Sequence, residues 1–173
     1  MDYTVLRKVG LPRVQSLKCS KHFVVNMAVD YIQNRNGVPT DVRYNIVYNK
    51  LVDVFDSIII CRREDGIGTS FNDFRCGDNS GFCALQLALL LGYTEIYLLG
   101  FDLRVEGTKT HFHSGYREAP KPFSERVSNY IKGFSGAIKE VKHKFKDTNI
   151  YSCSPISSLN HIIPYVNVGE VLK

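Results

Sequence analysis

The feature that most constrains the fold is the stretch 78–103, which reads as a buried helix followed directly by a buried strand. Short polar side chains at 78–80 can cap free backbone N–H groups, so we predict that a helix begins there and runs to Leu91. Gly92 suits a left-handed helix end, and the apolar run 96–99 has the length of a strand. The stretch therefore predicts one helix and one strand of a layered α/β fold.

Strands alternate with helices along the rest of the chain. We predict strands at 23–26, 42–48, 56–61 and from 150, and a long helix after Pro122. The long helix is indicated by an apolar stripe of Val127, Ile131, Phe134, Ile138, Val141 and Phe145. This order predicts a single α/β Rossmann-like domain over 1–173, with a mostly parallel sheet, helices on both faces and 1–21 poorly defined.

The composition is that of an ordinary globular protein, with 44% hydrophobic and 23% charged residues and a net charge of +5. Its densest basic run, 139–146, has helical spacing and predicts a solvated helix face, so no nucleic acid is expected as a partner. Five cysteines without a C-x-x-C pair favour a reducing, cytoplasmic setting. Gly92 and Glu95 interrupt the most apolar stretch, so we expect no membrane span.

Polar residues follow several predicted strands, namely Asn26, Asn49, Asp102 and Ser154. The carboxyl ends of parallel strands share one edge of a sheet, so these side chains are expected to converge beside the helix start at 79–81. That helix start is suited to a phosphate, because its N–H groups and dipole favour negative charge. For each residue taken singly, capping of a turn explains the polar side chain as well.

Two histidines, His111 and His113, lie in the long loop 104–121. A histidine there can act as a general base near neutral pH, whereas the structural alternative is a loop histidine without a chemical role. Together with Asp102 the pair could instead hold a divalent metal, although this spacing is not specific. The sequence contains no P-loop, dinucleotide fingerprint or nucleophile elbow.

The motifs of residues 78–165 resemble the core of two related families. They are Asn79-Ser80-Gly81, the apolar block 84–91, Gly92-Tyr93, the run 95–98, Gly100, Asp102, the histidine-bearing loop, and Cys153-Ser154-Pro155 with Ser157 or Ser158 and Leu159. One family is the bacterial CMP-sialic-acid-dependent sialyltransferases. The other comprises 6-hydroxymethylpterin diphosphokinase-like Rossmann proteins, some of them in bacteriophage genomes. Both resemblances imply a nucleotide-dependent transferase.

The sialyltransferase resemblance implies a division of roles. His113, with His111 second, would be the base that deprotonates an acceptor hydroxyl while cytidine monophosphate departs, and Asp102 belongs to the same catalytic group. The nucleotide would contact Asn26, Asn49, Asn79, Ser80, Gly81, Gly100 and Ser154. Tyr116, Ser157 and Ser158 would face the leaving group or substrate. The implied partners are a nucleotide or nucleotide-sugar donor and a small hydroxyl acceptor, and a homo-oligomer is compatible with the sequence.

Two departures keep other functions open. Leu103 stands where the sialyltransferases have a tyrosine beside the leaving phosphate, and Tyr116 is the candidate to replace that tyrosine. The glycine-rich turn expected after the first strand is reduced at most to residues 10–12. The His-x-His loop with Tyr116 is similar to the diphosphokinase-like family, which implies Mg²⁺-dependent diphosphoryl transfer from ATP with Asp102 helping to hold the ion. The alternative from another class is a non-catalytic nucleotide-binding or structural protein that keeps the fold.

Overall fold

A computed structural model of the protein describes residues 15–26, 54–62, 64–77, 79–105 and 123–173. The chain divides into two compact units, one formed by Met1–Glu64 and Gly68–Cys76 and the other by Asp65–Ile67 and Gly77–Lys173. They are called unit 1 and unit 2 below, and each is described by itself. The single domain expected over 1–173 stays a prediction.

The described elements include both strands and helices, which alternate from Ser80 onward. In chain order they are β1 (His22–Asn26), β2 (Ser57–Cys61), a 3₁₀ helix (Phe71–Asp73), α1 (Ser80–Leu90), β3 (Glu95–Leu98), α2 (Phe123–Lys144), β4 (Asn149–Ser152) and α3 (Val168–Val171). β1 pairs in parallel with β2, and β3 pairs in parallel with β4. The described part of the chain is therefore an α/β structure with parallel strand pairs, as the sequence predicts at this coarser level. None of its helices is both long enough and apolar enough to cross a membrane.

Unit 1 is built on the β1–β2 pair, in which His22 lies opposite Ser57. The segment 74–76 is hydrogen-bonded to Arg62, the residue that follows β2. The Arg62 N–H donates to the Phe74 carbonyl (2.7 Å), and the Cys76 N–H donates to the Arg62 carbonyl (3.0 Å). The Phe74 side chain is fully buried. The polar stretch 62–77, for which the sequence allows a mobile loop or an edge excursion, thus includes an anchored edge segment at 74–76.

Unit 2 has one apolar core. It is formed by Ile67, Phe82, Leu85, Leu89, Ile96, Leu98, Phe134, Ala137, Ile138, Val141, Ile150, Leu159 and Ile163. The side chain of Phe134 is completely buried in it. Its ring makes edge contacts with Phe82 of α1, at a centroid distance of 5.4 Å, and with Phe101 after β3, at 5.8 Å. Of the apolar stripe predicted for the long helix, Phe134, Ile138 and Val141 lie in this core, and Phe145, one residue beyond α2, packs against it.

The organising stretch folds close to its prediction. α1 is capped by Asn79, whose Oδ1 accepts from the Phe82 N–H (2.7 Å), and the helix ends before Gly92, which has a φ of +82°. The following strand begins and ends one residue earlier than predicted, so Leu99 lies outside it and is 58% exposed. The strand predicted at 42–48 lies outside the described residues.

A clamp on α2 holds the short segment Asp65–Ile67 in unit 2. Glu140 Oε2 accepts from the Ile67 backbone N–H (3.2 Å), while Lys144 Nζ donates to the Ile67 carbonyl (2.7 Å) and to Glu140 Oε2 (2.5 Å). The Ile67 side chain is completely buried in the core. One i,i+4 ion pair thus satisfies both backbone polar groups of a buried residue that is distant in sequence.

Glu140→Ala is expected to lower the free energy of unfolding by roughly 1–2 kcal/mol, because it leaves the Ile67 N–H without its charged acceptor. Urea unfolding measures the change. Lys132→Ala, at an exposed position of the same helix, is the control and should change the free energy of unfolding by less than about 0.5 kcal/mol. Equal changes in the free energy of unfolding for the two variants would contradict a stabilising role of the Glu140–Ile67 hydrogen bond.

A hydrogen bond between Lys21 and Asp56 at the start of the β1–β2 pair is expected to make the protein less stable in acid. The backbone N–H of Lys21 donates to the Asp56 carboxylate (2.6 Å), and this hydrogen bond lowers the pKa of Asp56 below its usual value. A depressed carboxyl pKa contributes stability above the unfolded-state pKa of about 3.9, and this stability is lost as the pH falls through the folded-state value.

Asp56→Asn should therefore show a smaller decrease in the free energy of unfolding between pH 6 and pH 3 than the wild type, measured by urea titration at each pH. Asp147→Asn removes the same charge from an exposed position and controls for net charge. An unchanged pH dependence in Asp56→Asn would contradict the assignment.

Candidate functional site

The carboxyl ends of β3 and β4 lie side by side, with Leu98 opposite Ser152. The segments that follow them, 99–103 and 153–160, are joined by hydrogen bonds. The Ser157 hydroxyl donates to the Phe101 carbonyl (2.5 Å), and the Ser158 N–H donates to the Asp102 carbonyl (2.8 Å). The convergence expected at strand ends is therefore present for these two strands.

The N-terminus of α1 lies against the same loop. A Cβ atom built on Gly81 would lie 2.7 Å from Cε1 of Phe101, so only glycine permits this approach. Asn79 caps the helix through Oδ1, while its buried Nδ2 has no hydrogen-bond partner among the described residues. The exposed side chain of Ser80 stands at the first position of the helix. The helix start and the end of β3 thus form one surface.

We call this surface the rim cluster. It brings together the predicted residues Asn79, Ser80, Gly81, Gly100, Asp102, Ser154, Ser157 and Ser158. Asn26 is the last residue of β1 in unit 1, and its side chain lies outside the described part of the structure. Asn49, His111, His113 and Tyr116 also lie outside the described residues, so their roles stay predictions.

Two predicted residues of the cluster hold its backbone together. The Ser157 hydroxyl donates to Phe101 and also accepts from the Leu159 N–H (3.1 Å), and its side chain is 6% exposed. The buried Ser154 offers its carbonyl to the Ser157 N–H (3.2 Å) and to Nδ2 of Asn160 (3.0 Å). Asn160, which the sequence reasoning missed, shapes this turn, and its turn-forming residue type was the available signal.

Asp102 is the acidic group of the rim cluster. Its half-buried carboxylate makes no hydrogen bond or ion pair with any residue in the described ranges. Its neighbours Phe101 and Leu103 both pack against the core of unit 2. A carboxylate held in this way can accept hydrogen bonds from hydroxyl or amino groups, or coordinate a cation. Across the ranges that the structure describes, no three His, Cys, Asp or Glu side chains form a metal-binding group.

Two further residues limit the chemistry of the rim cluster. Burial raises the pKa of the Cys153 thiol at the end of β4, which disfavours the thiolate needed by a nucleophile. Leu103, at the position of the tyrosine expected from the sialyltransferase resemblance, packs against the core. The described part of the cluster therefore offers a helix start, a carboxylate and hydroxyl groups rather than an activated nucleophile.

Comparison with known protein families, with curated proteins and with solved structures finds no match to this chain.

The hydrogen bonds of Ser157 give a test of how the rim cluster is held. Ser157→Ala removes the donor to the Phe101 carbonyl and the acceptor for the Leu159 N–H, so we expect the free energy of unfolding to fall by roughly 1–3 kcal/mol. Ser158→Ala is the matched control, because the bond from its backbone N–H to Asp102 survives the substitution. Urea unfolding compares the two, and a Ser158→Ala effect as large as that of Ser157→Ala would contradict the assignment.

Proposed function

We propose that the protein is a nucleotide-dependent transferase of Rossmann-like fold whose donor phosphate binds at the N-terminus of α1. The observation that carries the proposal is the convergence of this helix start, Asp102 and the 153–160 turn at the carboxyl end of a parallel strand pair. In open α/β sheets this is the edge at which ligands bind.

The charges of the rim cluster support a fixed orientation of the donor. The helix start carries a partial positive charge, and the Ser80 hydroxyl can donate to a phosphate oxygen. A carboxylate repels a phosphate unless a cation lies between them, so Asp102 is suited to the hydroxyl-bearing part of the donor. Phosphate and sugar are thereby directed to different sides of the cluster.

The leading proposal within this class is glycosyl transfer from a CMP-sugar to a hydroxyl acceptor. In this reaction His113, or His111 in second place, takes the proton of the acceptor hydroxyl. The hydroxyl oxygen forms a bond to the anomeric carbon of the sugar, and the bond from that carbon to the phosphate oxygen of cytidine monophosphate breaks. The helix start stabilises the charge that develops on the departing phosphate.

The second proposal is Mg²⁺-dependent diphosphoryl transfer from ATP. It is favoured by the Asp102 carboxylate, since Mg²⁺ in such sites is held by one or two carboxylates together with substrate phosphates. Asp102 is the described residue that would hold the ion, which would supply charge neutralisation at the transferred group. A protein that keeps the fold without turnover is the third candidate, favoured by Leu103, which packs against the core where the sialyltransferase resemblance expects a tyrosine.

Ser80→Asp is expected to weaken nucleotide binding at least tenfold, because a carboxylate at the helix start repels the donor phosphate. The same charge is favourable for the helix dipole, so the variant should fold as stably as the wild type. Isothermal titration calorimetry with CTP, CMP and ATP measures binding, and thermal unfolding measures stability. Thr94→Asp places the same charge at an exposed position before β3 and is the matched control.

The same titrations, repeated with and without Mg²⁺, separate the candidates. Cytidine-selective binding that needs no metal supports the CMP-sugar reaction, and ATP binding that needs Mg²⁺ supports diphosphoryl transfer. If Ser80→Asp binds the nucleotide as tightly as the wild type, the donor phosphate does not bind at the N-terminus of α1. A wild-type protein that binds none of the three nucleotides would overturn both enzymatic proposals and leave the non-catalytic one.

A further inference from the structure

We propose that Leu103 is a positioning residue, whose partly buried side chain anchors a strained backbone turn that holds the Asp102 carboxylate toward the ligand. This inference rests on the proposed nucleotide site. It concerns a residue that contacts no substrate and acts through its neighbour.

The backbone of Leu103 is strained. Its φ is +46°, and every other described residue with positive φ is a glycine. The left-handed region is unfavourable for an L-residue, because its Cβ atom comes too close to the following carbonyl oxygen. A glycine would adopt this turn without that cost, so the leucine has to be explained by what its side chain does.

The Leu103 side chain packs against the core of unit 2, and so does that of Phe101, whose ring also contacts Phe134. The residue between them, Asp102, is half-buried. Gly100, with φ of +72°, begins this segment. Two residues that pack against the core therefore flank Asp102 on either side.

The backbone around Asp102 is fixed as well. The Phe101 carbonyl accepts from the Ser157 hydroxyl (2.5 Å), and the Asp102 carbonyl accepts from the Ser158 N–H (2.8 Å). Side-chain anchors and hydrogen bonds thus restrain each residue next to the carboxylate, which itself has no partner in the described ranges. A group held in its binding geometry before the ligand arrives loses little entropy on binding, which favours affinity.

The role of the positioned carboxylate follows from its charge. It follows Phe101, whose ring approaches Gly81 at the helix start, and it accepts hydrogen bonds, so it fits the hydroxyl groups of the donor's sugar. Loosening the turn should weaken binding through Asp102 alone and leave the helix start unchanged.

Leu103→Gly removes the anchor and allows the turn to change. With the nucleotide that the wild type binds, we expect its Kd to rise at least tenfold in calorimetry below the unfolding midpoint. Leu89→Ala, in the last turn of α1, removes a core side chain away from the rim cluster and should change the Kd by less than twofold. Leu103→Met keeps an apolar anchor and should restore binding. If Leu103→Gly does not fold, Leu103→Ala carries the same expectation.

A double-mutant cycle with Asp102→Asn distinguishes positioning from general destabilisation. If Leu103 acts through Asp102, adding Leu103→Gly to Asp102→Asn changes the Kd no further. Amide hydrogen exchange at Ser158 tests the rigidity of the turn without any ligand, because the Ser158 N–H donates to the Asp102 carbonyl. Its exchange should be faster in Leu103→Gly, relative to the globally protected amides, and unchanged in Leu89→Ala.

The outcomes separate the two proposals. A wild-type protein that binds no nucleotide overturns the proposed function, and the role of Leu103 falls with it. A wild-type protein that binds, with a Leu103→Gly variant that binds equally well, overturns the role of Leu103 alone. Unchanged exchange at Ser158, or an undiminished effect of Leu103→Gly in the Asp102→Asn background, also overturns it.

Discussion

The rim cluster depends on the packing of Phe134. This ring, fully buried on α2, contacts the ring of Phe82 in the first turn of α1 and the ring of Phe101 directly after β3. One side chain thereby fixes the helix start and the loop whose approach defines the cluster. Because interiors are close-packed, a displacement of this ring would be transmitted to both. The geometry of the proposed site is therefore set by an aromatic contact that the ligand never touches.

Parallel pairing of β3 with β4 supplies the second requirement. It places the turn after β4 beside the loop after β3, and the hydroxyl of Ser157 then closes the gap between two segments that lie 56 residues apart in sequence. The polar turn residue Ser157 thus joins these two segments, while Ser80 and Asp102 are the residues proposed to contact the donor. If the proposal holds, the helix start would bind the anionic part of the donor and the Asp102 carboxylate its hydroxyl groups.

Local signals in the sequence predict local structure well. The Asn79 cap, Gly92 and the apolar stripe of the long helix place α1 and α2 almost to the residue. The approach of β3 to β4 follows from the rule for parallel sheets. The left-handed conformation of Leu103 could not be predicted, since leucine disfavours it and only distant packing supports it. The bond from Ser157 to Phe101 was missed because it joins distant segments, whereas the bonds of Asn160 are local and its residue type was an available signal. The predicted roles of the loop histidines stay predictions.

The clamp on Ile67 has a consequence for how the chain can be divided. Since α2 captures only Asp65–Ile67 while the residues on either side belong to unit 1, the polypeptide passes between the units three times rather than once. A fragment that begins at Gly77 would lack Ile67 and contain a void in the core of unit 2, and a fragment that ends at Cys76 would expose Ile67 to water. The units are compact in space but interleaved in sequence, so genetic exchange of either one as a contiguous block would disrupt the other.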